Sequence, residues 1–494
     1  MSAKLVTIGD SLSQGMTNAS NDLTQLSYPA AIARCLGATP TKASSVPTGQ
    51  LPFRIPDFSG EGGLPVNLEK MVRLLAERYG PEINWMEVVP AALSVRSQVD
   101  RIEDYWERGA GSKASFTGPV HHNLAVSGFK LGDCDTLTEA ACRRALPEPK
   151  DDFVGQVPEM PMYRSARRTL NPRYDRRFEN LSQLDLAKAI AHVEGGIENL
   201  IFWLGANNAL STVTQLRIQW SRASDLLLSS HLQTANLWRP EHFRALIERI
   251  GPKIEAIAAQ RVFIGTIPHV TIPPISRGVS PGLDETRDRS SDGYYEYYTH
   301  FWIWDDEFEK APERFPYLSR EDARLVDRTI NDYNAILKEE AQKRGWFVVD
   351  VCQLLDNLAF RRQGGETSYS FPPAMLEAFR RNPNTKDWVT LEGDRSPDTR
   401  FLRIVTEGSQ TRYMGGLFSL DGFHPTTLGY GLVAEEFLNV MKRAGTAIER
   451  PLDWDAIVAA DTLLTDPPVN LESLRRTLGF LYHRTPLRDI ISTF

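Results

Sequence analysis

Residues 5–15, Leu5-Val6-Thr7-Ile8-Gly9-Asp10-Ser11-Leu12-Ser13-Gln14-Gly15, form a short apolar run that breaks into a glycine, an acid and a serine. The run is continuous rather than alternating, as a strand buried on both faces should be. Gly9 and Asp10 interrupt it, and the chain then turns toward a helix, which places Ser11 at the carboxyl end of the strand. Open α/β sheets bind their ligands along that edge.

Runs of the same kind recur at 85–89, 124–126, 200–204, 262–267 and 346–351. Several are followed by segments of helical period. The clearest spans 320–344, where Ala323, Val326, Ile330, Tyr333, Leu337 and Ala341 recur every three or four positions and lead into the run at 346. Further helices are expected at 184–193, at 428–443, and at 241–259 with an interruption near Gly251-Pro252. Strands alternating with helices predict an α/β chain with a mostly parallel sheet, here one αβα core over residues 1–445.

Polar, proline- and glycine-rich stretches at about 38–82, 130–180, 268–318 and 353–415 are longer than ordinary connections and read as insertions that build the substrate side. Residues 446–494 carry apolar residues of their own and two proline-marked turns, and read as a small C-terminal helical appendage.

Composition narrows the class. The 494 residues are 41% apolar and 24% charged, as in a globular protein, and 63 acids against 56 bases give a net charge of −7. That balance offers no broad attraction for phosphate backbones or anionic lipid, so nucleic acid is not expected as a partner. The cysteines, Cys35, Cys134, Cys142 and Cys352, are too few and scattered for a disulfide framework, although the spacing allows one bridge from Cys134 to Cys142. Without CxxC, HExxH or clustered histidines, no metal is expected. The first residues lack the marks of a secretory signal, and no apolar run reaches the roughly 18 residues that span a bilayer. A cytoplasmic location with no transmembrane segment is expected, and a chain whose signal had been removed would read the same.

Near the other end stands Ser419-Leu420-Asp421-Gly422-Phe423-His424-Pro425-Thr426, followed by a helical stretch. A serine hydroxyl is a weak nucleophile at neutral pH and needs an adjacent base. His424 supplies one, with the Asp421 carboxylate three residues before it. Each residue also has a plain structural reading. Ser11 could cap a helix, His424 could be structural, and Asn207 and Gly128 could be turn residues. Asp10 is expected to hydrogen-bond within its turn and is assigned no chemical step.

Together these residues resemble the GDSL, or SGNH, hydrolase family, named for Ser, Gly, Asn and His in four sequence blocks. The blocks occur in the family's order: Gly9-Asp10-Ser11-Leu12, then Asn123-Leu124-Ala125-Val126-Ser127-Gly128, then Gly205-Ala206-Asn207-Asn208, then Asp421-Gly422-Phe423-His424. Their span covers about residues 4–443. The resemblance implies a flavodoxin-like three-layer αβα fold and a cofactor-independent esterase or lipase acting on a small-molecule or lipid acyl ester. It makes Ser11 the nucleophile, His424 its general base and Asp421 the residue that orients the imidazole. The oxyanion hole would be the backbone N–H groups of Ser11 and Gly128 with the side-chain amide of Asn207. The third block departs from the family's Gly-x-Asn-Asp, since Asn208 replaces the aspartate, and the second block is the loosest match. No GxSxG elbow occurs, which removes the α/β-hydrolase alternative.

Two rival functions stand beside ester hydrolysis. An acyltransferase would form the same acyl-serine and pass it to an alcohol. A non-catalytic binding domain of this fold would be expected to have lost Ser11, His424 or Asn207, and all three are present. The aromatic segment 294–304 has two readings as well, as packing that seats an insertion or as an acyl-chain wall that includes Trp302 and Trp304.

Overall fold

The computed structural model describes residues 2–43, 47–84, 86–115, 118, 120–149, 157–280, 292–300, 303, 305–359, 368–386, 399, 402–407 and 410–471. Its centre is a parallel sheet of β1 (Val6–Gly9), β2 (Asn199–Trp203), β3 (Arg261–Gly265) and β4 (Phe347–Val349), adjacent in that order. Residues 123–126 extend the sheet beyond β1. Asn123 bridges Thr7 in parallel, and the N–H groups of Leu124 and Val126 donate to the carbonyls of Thr7 and Gly9 at 2.9 and 3.1 Å. The chain therefore lays its second line on one side of β1 and its third, β2, on the other. That reversal makes the gap between the ends of β1 and β2 the switch point of the sheet, where a crevice opens.

The helices that matter for the site are, in chain order, α1 (Ser11–Gln14), α2 (Tyr28–Cys35), α3 (Gln183–Val193), α4 (Pro240–Glu255), α5 (Arg320–Arg344), α6 (Val351–Leu358) and α7 (Thr427–Arg443). Successive strand residues point to opposite faces. Val6, Ile8, Leu200, Phe202, Val262 and Ile264 pack in one core with α3, α4 and α5. Leu5, Ile201, Trp203, Phe263 and Val349 pack in a second with α2, α6 and α7. Helices on both faces of a parallel sheet make an α/β protein of three layers, and burial of both faces is why its strands read as unbroken apolar runs.

Two expectations are corrected and one open possibility is closed. The run at 85–89 is not a strand: Trp85 lies outside the described residues, and a helix begins at Val88 and continues to Glu107. Its buried stripe of Ala91, Val95, Val99, Ile102 and Trp106 decides the matter, and Pro90 falls in its first turn, where a missing N–H costs little. Helix α4 runs through Gly251-Pro252 without interruption. Its buried face of Leu246, Ile247, Ile250 and Ile254 outweighs one lost backbone bond, and Gly251 lets α5 approach, since a Cβ there would overlap the Glu340 carboxylate. Finally, Cys134 and Cys142 are not bridged; all four cysteines are free and buried.

The long stretches carry small elements of their own. Strand Tyr297–His300 is the middle of a three-stranded antiparallel sheet with Ser276–Val279 and Leu318–Ser319. Tyr295 and Tyr298 are buried in the first core, so this part of the aromatic segment is packing. Trp302 and Trp304 lie outside the described residues. Within 446–494, helices Trp454–Ala460 and Thr462–Thr465 place Trp454, Val458 and Leu464 in the second core beside α7. No helix among the described residues is long and apolar enough to cross a membrane.

Candidate active site

Ser11 starts α1 at the carboxyl end of β1. Asp10 caps that helix, its Oδ1 accepting the Leu12 N–H at 3.1 Å, which is the local role expected for it. Burial pushes the Asp10 carboxyl up to about 7, against the lowering effect of the Leu12 N–H. Behind Ser11, Gln14 ties the turn to the second motif: its Nε2 donates to the Ala125 carbonyl at 2.9 Å and its Oε1 accepts the Ser127 N–H at 3.2 Å. Gln183 of α3 reinforces the join, donating to the carbonyls of Gly9 and Leu124 at 3.0 and 2.7 Å.

The third motif leaves β2 through Gly205, whose φ of +121° and closeness to Ile267 admit no side chain. Asn207 follows, with its Nδ2 donating to the Phe129 carbonyl at 3.0 Å and standing 3.4 Å from Asp10 Oδ2. Asn208, the departure from the family pattern, braces the same loop: its Oδ1 accepts the Leu131 N–H at 2.9 Å. Gly128 has a φ of +83° and lies one residue before Phe129.

The fourth motif sits just before α7, capped by Thr426. Asp421 is buried and receives four contacts. Its Oδ1 accepts the N–H groups of Phe423 and His424 at 3.0 and 2.9 Å, and its Oδ2 meets the Ala19 N–H at 2.6 Å and His424 Nδ1 at 2.9 Å. Burial alone would raise its pKa, but the neighbouring imidazole and these donors hold it below the usual carboxylate value. An ionised carboxylate only accepts, so Nδ1 carries the ring proton and Nε2 is the basic nitrogen. Asn18 and Ala19, both at positive φ, complete the junction: Ser419 Oγ accepts the Asn18 N–H at 2.8 Å, and Asn18 Oδ1 accepts the Leu420 N–H at 2.9 Å.

Ser11, Asn207 and His424 line one cavity of about 100 Å³, several times the room one water needs. Its other walls are largely apolar, among them Leu210, Val270, Leu354, Leu358, Phe418 and Leu432. Asp421 lies behind His424, and Gly128 is not among the lining residues. Of the four long stretches, 268–318 and 353–415 contribute walls, through residues 268–273 and 354–358; among the described residues, 38–82 and 130–180 contribute none.

A second group of reactive side chains borders this cavity. His269, which lines it, has Nδ1 2.8 Å from Asp356 Oδ1 and 3.8 Å from Cys352 Sγ, while Nε2 is 3.1 Å from Asn331 Oδ1. Burial lowers the His269 pKa, but Asp356 and then Cys352 outweigh it and raise the value to about 11. The sequence contained one signal for this group, the i, i+4 pair Cys352 and Asp356 directly after a strand, but its histidine lies 83 residues from Cys352.

No protein-family model matches the chain, and no curated protein matches it.

Proposed function

We propose that this protein is a serine-dependent carboxylic-ester hydrolase of the SGNH type, built on a flavodoxin-like sheet. The observation that carries the reading is that His424, hydrogen-bonded from behind by Asp421, shares one apolar cavity with Ser11 and Asn207. The sheet order, with a second line beside β1 and the remaining strands on its other side, supports the fold assignment.

On this reading Ser11 Oγ attacks the ester carbonyl while His424 Nε2 takes its proton. The oxyanion is met by the N–H groups of Ser11 and Gly128 and by Asn207 Nδ2. The imidazolium, stabilised by Asp421, protonates the departing alkoxide and leaves an acyl-Ser11. Water then attacks that ester with His424 as base, and the acid is released. The apolar walls suit the acyl group of a small-molecule or lipid ester. They also suit an alcohol acceptor in place of water, which would make the same intermediate an acyl donor; product analysis with added alcohol separates the two.

Fluorophosphonate labelling tests the proposal. The intact protein should be labelled and Ser11→Ala should not; an unlabelled wild-type protein refutes the nucleophile.

A further inference from the structure

The group beside the cavity has the composition and spacing of a metal site. The candidate ligand atoms of His269, Cys352 and Asp356 all lie within 4.8 Å of one another. They come from neighbouring strand ends: His269 follows β3, and Cys352 and Asp356 lie one turn apart on α6, which follows β4. These are the carboxyl ends of the sheet, the same edge that carries Ser11 and Asn207.

An ion pair accounts for an imidazole beside a carboxylate, but it needs no thiol. Here the backbone that carries the thiol is held in place, and Cys352 Sγ stands 3.8 Å from His269 Nδ1 as the third corner. The Cys352 N–H donates to Thr266 Oγ1 at 2.9 Å, and that hydroxyl donates to Asp350 Oδ1 at 2.9 Å, which fixes the first turn of α6 against β3. Asn331 holds the imidazole from behind: with Nε2–H given to Asn331 Oδ1, Nδ1 faces both Cys352 Sγ and Asp356 Oδ1. An outer partner of this sort is what orients a metal-ligating histidine.

We propose that His269 Nδ1, Cys352 Sγ and Asp356 Oδ1 bind a single zinc ion at the wall of the Ser11 cavity. One thiolate, one imidazole and one carboxylate form a borderline donor set that suits zinc, and three protein ligands leave a fourth position for water. Binding displaces the thiol proton and the Nδ1 proton to solvent, so the ligands enter as thiolate and neutral imidazole. The proposal does not depend on ester hydrolysis at Ser11.

Titrating zinc into the chelator-stripped full-length chain, followed by calorimetry, should give saturable binding of one ion per chain. Cobalt(II) in its place should give a thiolate-to-metal charge-transfer band that Cys352→Ser abolishes. Asn331→Ala should keep the band and weaken zinc binding by about 10–100-fold. Circular dichroism checks that Cys352→Ser is folded. If it is not, the partly exposed Asp356→Asn decides: weakened zinc binding supports the site, and unchanged binding overturns it. No saturable zinc binding by the wild-type chain, or a charge-transfer band that survives in folded Cys352→Ser, also overturns it.

Discussion

Oδ2 of Asp421 lies 2.9 Å from Nδ1 of His424 and, at the same time, 2.6 Å from the backbone nitrogen of Ala19. One carboxylate oxygen thus sets the tautomer of the histidine and anchors the loop that follows the Ser11 helix. Asp421→Asn should lower kcat for an ester substrate by about 10³–10⁴-fold, because the carboxamide no longer enforces the Nδ1–H tautomer or stabilises the imidazolium. Steady-state kinetics on the folded variant measure this, and near-wild-type kcat would show that Asp421 does not serve the reaction.

In the proposed oxyanion hole, Asn207 is the one donor that a side-chain change can remove. Asn207→Ala should reduce kcat by about 10²–10³-fold with little change in KM, since the donor acts on charge that develops in the transition state. An effect confined to KM would place Asn207 in ground-state binding instead.

Asp10 makes a pH prediction with a definite sign. Its carboxyl is raised from 3.8 to about 7 in the folded chain. Between those values the folded protein keeps a proton that the unfolded chain has lost, so this group's contribution falls as pH rises from the lower value to the higher and then levels off. Asp10→Asn retains a helix cap without the titration. Its stability relative to wild type should therefore rise across that window, as measured by denaturant unfolding at mildly acidic and mildly alkaline pH. A pH-independent difference would contradict a neutral buried acid.

The cavity walls make a prediction about selectivity. Leu355 is partly buried and lines the cavity from α6. Leu355→Trp should narrow the space and depress kcat/KM for long-chain esters more than for acetyl esters. An unchanged ratio between the two substrates would mean that the acyl chain lies elsewhere.

Much of the central sheet was legible because its strands are buried on both faces, which leaves runs such as Leu200 to Leu204 with no polar interruption. The misread elements are those whose outcome depends on distant partners. The stripe from Ala91 to Trp106 outvoted the local run at 85–89, and packing between α4 and α5 carried a proline through a helix. At the site, Ser11, Asn207 and His424 stood out because each follows a recognisable strand or precedes a helix. The ties that join them, through Gln14, Gln183 and Asn18, have no signature, since a buried amide looks the same in sequence whatever it bonds. Cys352 and Asp356 are paired by helical spacing, but only folding brings His269 to them, 83 residues from Cys352 in the chain.

The junction between Asn18–Ala19 and Ser419–Asp421 links residues some 402 positions apart. A ribosome delivers His424 more than four hundred residues after Ser11. Throughout that interval the serine lacks both His424 and the carboxylate that steadies the loop behind it, so on the proposed mechanism the nascent chain has no base to activate Ser11. On the proposed mechanism the first turnover has to wait until these two segments have met, which would make activity a report that the stretch from Ser11 to His424 has been made and folded.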